Sequence, residues 1–163
     1  MIDKTLLEQL QTLYDPFMPM ETILSNQIAA LYLCDARISW AGIYSVSTVD
    51  ECAWLFMFQG KLACARIRFN HGVIGACIEK QQTIVVDDVH KFPGHIACDP
   101  ASRSELVIPL YYQGILAAVL DLDSDQKNHF AALDPETIHS LQKIFEKTLA
   151  LPPLSLHPEL SKD

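Results

Sequence analysis

Apolar positions change their period several times along this chain, and each change predicts an element. Residues 6–14 read as a short amphipathic helix that stops at Asp15-Pro16. A second helix is predicted over 21–33, where Ile23, Ile28, Leu31 and Tyr32 fall near helical spacing. After Asp35 the period shortens. Ile38, Trp40, Gly42 and Tyr44 alternate with Ser39, Ala41, Ile43 and Ser45, as on a strand. The apolar, aromatic run 53–58 suits a buried strand, and Gln59-Gly60 turns it into a third strand over 62–69. A short helix follows from His71-Gly72 through Glu79, then a brief strand at 83–86. Residues 87–103 form a long polar loop holding Pro93-Gly94 and Asp99-Pro100. Two further strands, 105–112 and 115–123, make a hairpin across Gln113-Gly114. Asp134-Pro135 caps a closing helix over 136–149, with proline at the favoured first position. This order predicts an α+β domain: a six-stranded antiparallel sheet with helices packed on a face. A loop as long as 87–103 inside one domain points to function.

The chain has 163 residues, half of them apolar, which suits one domain over 1–150 followed by a Pro-rich tail, 151–163. Its formal net charge of -8 argues against nucleic acid and against anionic membrane surfaces, both of which call for surplus Lys and Arg. No apolar run is long enough to span a bilayer. The first residues lack the basic-then-apolar order of a signal peptide, so the expected location is cytoplasmic. The five cysteines, Cys34, Cys52, Cys64, Cys77 and Cys98, are odd in number and contain no Cys-x-x-Cys pair. A secreted disulfide framework and a zinc site are therefore not expected. What remains is a mixture of buried apolar cysteines and reactive thiols. Phosphate-binding glycine loops are absent. The stretch Ala101-Ser102-Arg103-Ser104 lacks the Gly-x-Ser-x-Gly elbow of a serine hydrolase. His129 and His139 read as surface residues.

Several stretches carry a resemblance. They are Ser39-Trp40-Ala41-Gly42-Ile43-Tyr44, then Phe58-Gln59-Gly60-Lys61-Leu62-Ala63-Cys64-Ala65-Arg66-Ile67, then residues 86–99 with Phe92-Pro93-Gly94-His95-Ile96-Ala97-Cys98-Asp99. Ser104-Glu105-Leu106-Val107-Ile108-Pro109 and Val119-Leu120-Asp121-Leu122-Asp123-Ser124 complete the set. Together they resemble the free methionine-(R)-sulfoxide reductases, a branch of the GAF fold, over nearly all of the chain except the tail. The resemblance implies a GAF-like fold and reduction of free L-methionine (R)-S-oxide to L-methionine, with no metal and no organic cofactor. It makes Cys98 the nucleophile and Cys64 the resolving thiol of an intramolecular disulfide recycled by thioredoxin. Glu105, Asp121 and Asp123 become substrate-binding and proton-handling residues, and Trp40 and Tyr44 the walls of the methyl pocket. The family often forms homodimers.

The residues themselves fit that chemistry without requiring it. Cys98 sits among His90, Lys91, His95 and Arg103, cations able to lower a thiol pKa. Asp121 and Asp123 are two apart and face the same way on a strand. Three carboxylates in one pocket would raise at least one pKa and so provide an acid. Taken singly, Cys64 also reads as a core strand cysteine, Asp121-x-Asp123 as a strand end, and Trp40 with Tyr44 as core packing. The family's Gly-Val-Cys-Gly stretch is Gly72-Val73-Ile74-Gly75 here, so its third cysteine is Ile74, and Cys77 follows one helical turn on. Cys77 is expected to be structural. The rival reading is a non-catalytic GAF module that binds a small molecule.

Overall fold

The computed structural model describes residues 1–94 and 99–154. Its element order is α1 (Lys4–Thr12), α2 (Met20–Leu33), β1 (Ile38–Ser47), β2 (Cys52–Gly60), β3 (Arg66–Arg68), α3 (Gly72–Lys80), β4 (Ile84–Val86), a single 3-10 turn (Val89–Lys91), β5 (Ser104–Tyr112), β6 (Ile115–Ser124) and α4 (Pro135–Leu149). Side-chain caps start α1 and α4. Asp3 accepts from the Leu6 amide, and Asp134 accepts from the Thr137 amide ahead of Pro135. The hairpin residues Gln113 and Gly114 both take positive φ, which matches the right-handed twist of strands joined by a two-residue turn.

The six strands form one sheet in the order β3-β2-β1-β6-β5-β4, and all five neighbouring pairs are antiparallel. Two apolar clusters divide along its faces. One joins Leu6, Leu10, Leu24, Ile28, Leu31, Leu141 and Phe145 of α1, α2 and α4 to Ile43, Ile108 and Leu120 of the sheet. The other joins Val73, Ile74, Cys77 and Ile78 of α3 to Trp40, Tyr44, Val107 and Val119. Helices therefore cover both faces, where the pattern predicted one. The amphipathic stripe of α3 is as apolar as that of the others, and it seats on the face that alternation leaves open.

Two further expectations are corrected. The third strand, expected over 62–69, is only Arg66–Arg68, so Cys64 lies in the loop joining β2 to β3. The alternation in β1 is also interrupted. Ile38 pairs with Ser124, yet Trp40 pairs with Asp123, which leaves Ser39 as a bulge. Ile38 packs in the cluster under α1, α2 and α4, whereas Trp40 packs in the cluster under α3. A regular strand would put both on one face; the bulge turns Trp40 to the other.

Candidate active site

The site forms on the α3 side of the central strands. Trp40 on β1, Asp123 on β6 and Glu105 on β5 are direct cross-strand neighbours, forming one row across the sheet. In the next row Gly42, Asp121 and Val107 face each other. The cavity above these rows is lined by Ser39, Trp40, Tyr44, Ser102, Glu105, Asp121 and Asp123, together with Leu62 and Ala63 of the β2–β3 loop and residues 71–74 at the start of α3. Glu105 and Asp121 are buried.

Three carboxyls this close cannot all carry charge in a dry site. Burial, then the neighbouring Asp121 and Asp123 charges, pushes Glu105 well above the ordinary carboxylate range. Asp121 is raised by burial and by Asp123, against a hydrogen bond with Glu105 that lowers it. Burial lifts Asp123 to about 6, opposed by a hydrogen bond from Ser102. The Ser102 hydroxyl donates to Asp123 Oδ1 across 2.6 Å. The trio thus separates into a buried pair that holds a proton near neutrality and one member ionised above about pH 6. That combination can neutralise a cation and still give up a proton.

The aromatic wall depends on a glycine. Trp40 and Tyr44 are separated by ~13 Å of strand, yet their ring centroids stand 5.9 Å apart. The Trp40 indole folds back over Gly42 and stacks on Phe58 at 5.6 Å. A Cβ on Gly42 would overlap Trp40 Cη2 and stand 2.7 Å from Cζ3 and 2.8 Å from the Met57 carbonyl oxygen. Both polar tips reach the same loop. Trp40 Nε1 donates to the Lys61 carbonyl (3.2 Å) and the Tyr44 hydroxyl to the Cys64 carbonyl (3.0 Å). The wall of the pocket is also what suspends Cys64 beside it.

Cys64 is disulfide-bonded. Cys98 and His95 lie outside the described residues, so the nucleophile expected from sequence has no geometry to set beside the carboxylates. The segment that follows Cys98 is well tied down. Asp99 bridges Lys61 at 3.0 Å and accepts from the Ala101 amide, and the Arg103 amide donates to the Ser124 carbonyl at 2.7 Å. Of the cations expected around the nucleophile, His90 and Arg103 lie 3.3 Å apart on an exposed face. Cys77 is fully buried on α3. Its thiol points at the Val107 carbonyl (3.8 Å), and burial pushes its pKa up to about 12. Ile74 is buried in the same cluster. Among the described residues, no group of His, Cys, Asp and Glu is arranged to hold a metal, and no helix is long and apolar enough to cross a membrane.

Sequence reasoning passed over Ser39, Gly42, Phe58 and Ser102. Only Gly42 left a signal, as a glycine inside an otherwise strong strand, which marks close approach. His129 corrects a different expectation. It is half-buried, 3.7 Å from Asp35 with its ring edge-on to Phe130, and burial lowers its pKa.

The GAF domain family matches residues 20–147. The chain is 42% identical to the free methionine-R-sulfoxide reductase of Escherichia coli, over 78% of this chain and 76% of that one. Among solved structures, the free methionine-R-sulfoxide reductase of Neisseria meningitidis in complex with its substrate superposes with a TM-score of 0.77 at 37% identity, covering 88% of this chain and 85% of that one. A putative GAF sensor protein of Burkholderia vietnamiensis gives 0.80 at 38% identity, covering 88% and 90%. A family match over most of its length, with identity of this degree to named reductases, makes this chain a member of the GAF domain family and, within it, of the free methionine-R-sulfoxide reductases.

Proposed function

We propose that this protein reduces free L-methionine (R)-S-oxide to L-methionine. The observation that carries the reading is the row of Trp40, Asp123 and Glu105 with Asp121 beside it, an acidic cradle under an aromatic wall, in a chain of the reductase family. The substrate ammonium pairs with the ionised carboxylate, and Trp40 and Tyr44 enclose the S-methyl group. The Cys98 thiolate attacks the sulfoxide sulfur. The sulfoxide oxygen takes a proton from the carboxyl pair, and methionine leaves as Cys98 becomes a sulfenic acid. Cys64 then attacks the Cys98 sulfur, water departs, and a disulfide forms. Thioredoxin returns both cysteines to thiols by dithiol exchange. No metal or organic cofactor takes part.

The loop position of Cys64, beside the cavity and hung from Trp40 and Tyr44, favours its role as resolver. Burial of Cys77 against a carbonyl favours a cycle that runs on two cysteines. We further assign residues 1–150 to one GAF domain and the cytoplasm as location. A homodimer is favoured by exposed apolar side chains such as Phe17 (94%) between α1 and α2.

The test is NADPH consumption in a thioredoxin and thioredoxin reductase coupled assay, with the R and S diastereomers supplied separately, for wild type and Cys98→Ser. Turnover of the R form alone, lost in the variant, is expected. Binding of the sulfoxide without turnover, even with a small dithiol, would replace this reading with the ligand-binding module that the Burkholderia likeness allows.

A further inference from the structure

Four buried side-chain polar atoms lack a hydrogen-bond partner among the described residues: Gln27 Oε1, Ser39 Oγ, Asp121 Oδ1 and His129 Nδ1. Unpartnered polar atoms in a folded interior are costly and rare. Two of the four, on Ser39 and Asp121, belong to residues that line the same cavity. Ser39 is the bulged residue of β1, inserted where Trp40 pairs with Asp123. Bulges beside active sites re-aim side chains, and this one delivers a hydroxyl to the level of the carboxylate row. Among the described residues, nothing else hydrogen-bonds to it.

We propose that Ser39 is a further substrate-binding residue, its hydroxyl accepting one N–H of the substrate ammonium beside Asp121 Oδ1. The proposal rests on the reductase reading above and adds a contact which that reading leaves out. An ammonium presents three N–H donors to be satisfied. The carboxylate oxygens are partly committed: Asp123 Oδ1 accepts from Ser102, and Glu105 and Asp121 are bonded to each other. Asp121 Oδ1 is an open acceptor. A fourth carboxylate at position 39 would add repulsion to a trio already crowded, whereas a hydroxyl accepts without adding charge. The pair also selects for free amino acids. A methionine sulfoxide within a peptide offers one uncharged amide N–H, and the second of these two buried acceptors would stay unpaired.

Steady-state kinetics on wild type, Ser39→Ala and Ser39→Thr test this, with free L-methionine (R)-sulfoxide as substrate and dithiothreitol as reductant so that thioredoxin docking plays no part. The deaminated analogue 4-(methylsulfinyl)butanoate is measured alongside as an inhibitor. Ser39→Ala is expected to raise KM by about tenfold, the worth of one hydrogen bond to a charged group, with kcat held within about twofold. Ser39→Thr keeps the hydroxyl and should restore KM. The inhibition constant of the analogue, which has no ammonium, should be the same in all three proteins. An unchanged KM in Ser39→Ala, or an equal loss of affinity for substrate and analogue, overturns the proposal. Should Ser39→Ala fail to fold by circular dichroism, Ser39→Gly, which also removes the hydroxyl at a position where a bulge accommodates glycine, decides it. A raised KM with an unchanged analogue constant supports the contact, and an unchanged KM or matched losses for both ligands refute it. A wild-type protein that reduces neither diastereomer would instead remove the reductase reading itself.

Discussion

Replacing Asp123 by Asn should make the folded protein more stable at neutral pH while abolishing turnover, and the size of the gain follows from the site. Asp123 is raised from 3.8 to about 6 by burial, against the lowering effect of Ser102. Between those two values the native state holds a proton that the unfolded chain has released. Stability is therefore highest below pH ~4 and falls as pH rises through ~6. At ~1.4 kcal/mol per pH unit the full loss is roughly 2–3 kcal/mol, of which about 1.4 kcal/mol falls between pH 5 and 7.5. Glu105 and Asp121 are raised too and shift stability the same way. Removing the Asp123 charge relieves both, so the difference between wild type and variant is a lower bound. Asn retains an oxygen for the Ser102 hydroxyl, so the substitution isolates the charge. Other titrations do not imitate the effect. Asp35, Asp50, Asp88, Asp99 and Asp134 are lowered by their partners and act below pH ~4. His129, lowered by burial, gains stability with rising pH but is common to both proteins. Urea unfolding at pH 5 and 7.5 gives the answer: the stability difference should widen by at least about 1 kcal/mol at the higher pH. A difference that stays flat would refute the claim that these strands hold a carboxylate against its preferred state.

Gly42→Ala should cost about 1–3 kcal/mol in thermal unfolding and most of the activity, because the new methyl displaces the Trp40 indole from Phe58 and Tyr44. Loss of stability with full activity would mean that the indole position does not shape the pocket. Cys77→Ser should lower stability by about 1–2 kcal/mol through its buried site and leave thioredoxin-dependent kcat near wild type, whereas Cys64→Ser should stop recycling; severe slowing in Cys77→Ser would restore it as a redox thiol. Ser102→Ala removes the hydrogen bond that lowers Asp123. The acidic limb of kcat/KM should then move to higher pH by about one unit, and superimposable profiles would free Ser102 of that role.

How far the chain could be read depends on what the residues had to agree with. All six strands and all four helices were legible, because each is bounded by a change of period or by Asp, Gly or Pro. Asp121 and Asp123 were legible as facing one way because a single strand carries both. Their meeting with Glu105 was expected from resemblance, and register explains it: the two-residue hairpin turn sets Tyr112 opposite Ile115 and Tyr111 opposite Leu116, and a one-residue shift between Leu110 and Tyr111 then brings Glu105 opposite Asp123 rather than Leu122. The bulge at Ser39 was not legible. The letters alternate through it as they would through a regular strand, and only pairing with β6 shows that one residue is extra. The shortness of β3, expected over 62–69, was not legible for a similar reason. Residues 62–64 are apolar enough for a strand, but they stay outside the sheet, and Leu62 and Ala63 line the cavity instead. Proximity of Trp40 to Tyr44 also depends on a rotation no period encodes, made possible by the missing side chain of Gly42.

The division of labour between sheet and loop follows from these contacts. Three carboxyls that repel one another must be held by backbone that cannot relax away. Asp121 and Asp123 lie on β6, which is paired on both sides, and Glu105 lies on β5, paired to β6 and β4. The repulsion is sustained by ladders whose collective loss would unfold the domain, which is why charge removal there should stabilise rather than disrupt. A thiol that must approach another sulfur and later separate from it has the opposite requirement. Cys64 sits on a loop whose ties to the pocket wall include side-chain bonds from Trp40 and Tyr44. Such bonds are worth about 1 kcal/mol each, so they can orient a loop without immobilising it. Because the same two aromatic side chains wall the cavity, filling it and positioning the Cys64 loop are coupled through shared atoms. Tyr44 bears on both, through its ring against Trp40 and its hydroxyl on the Cys64 carbonyl.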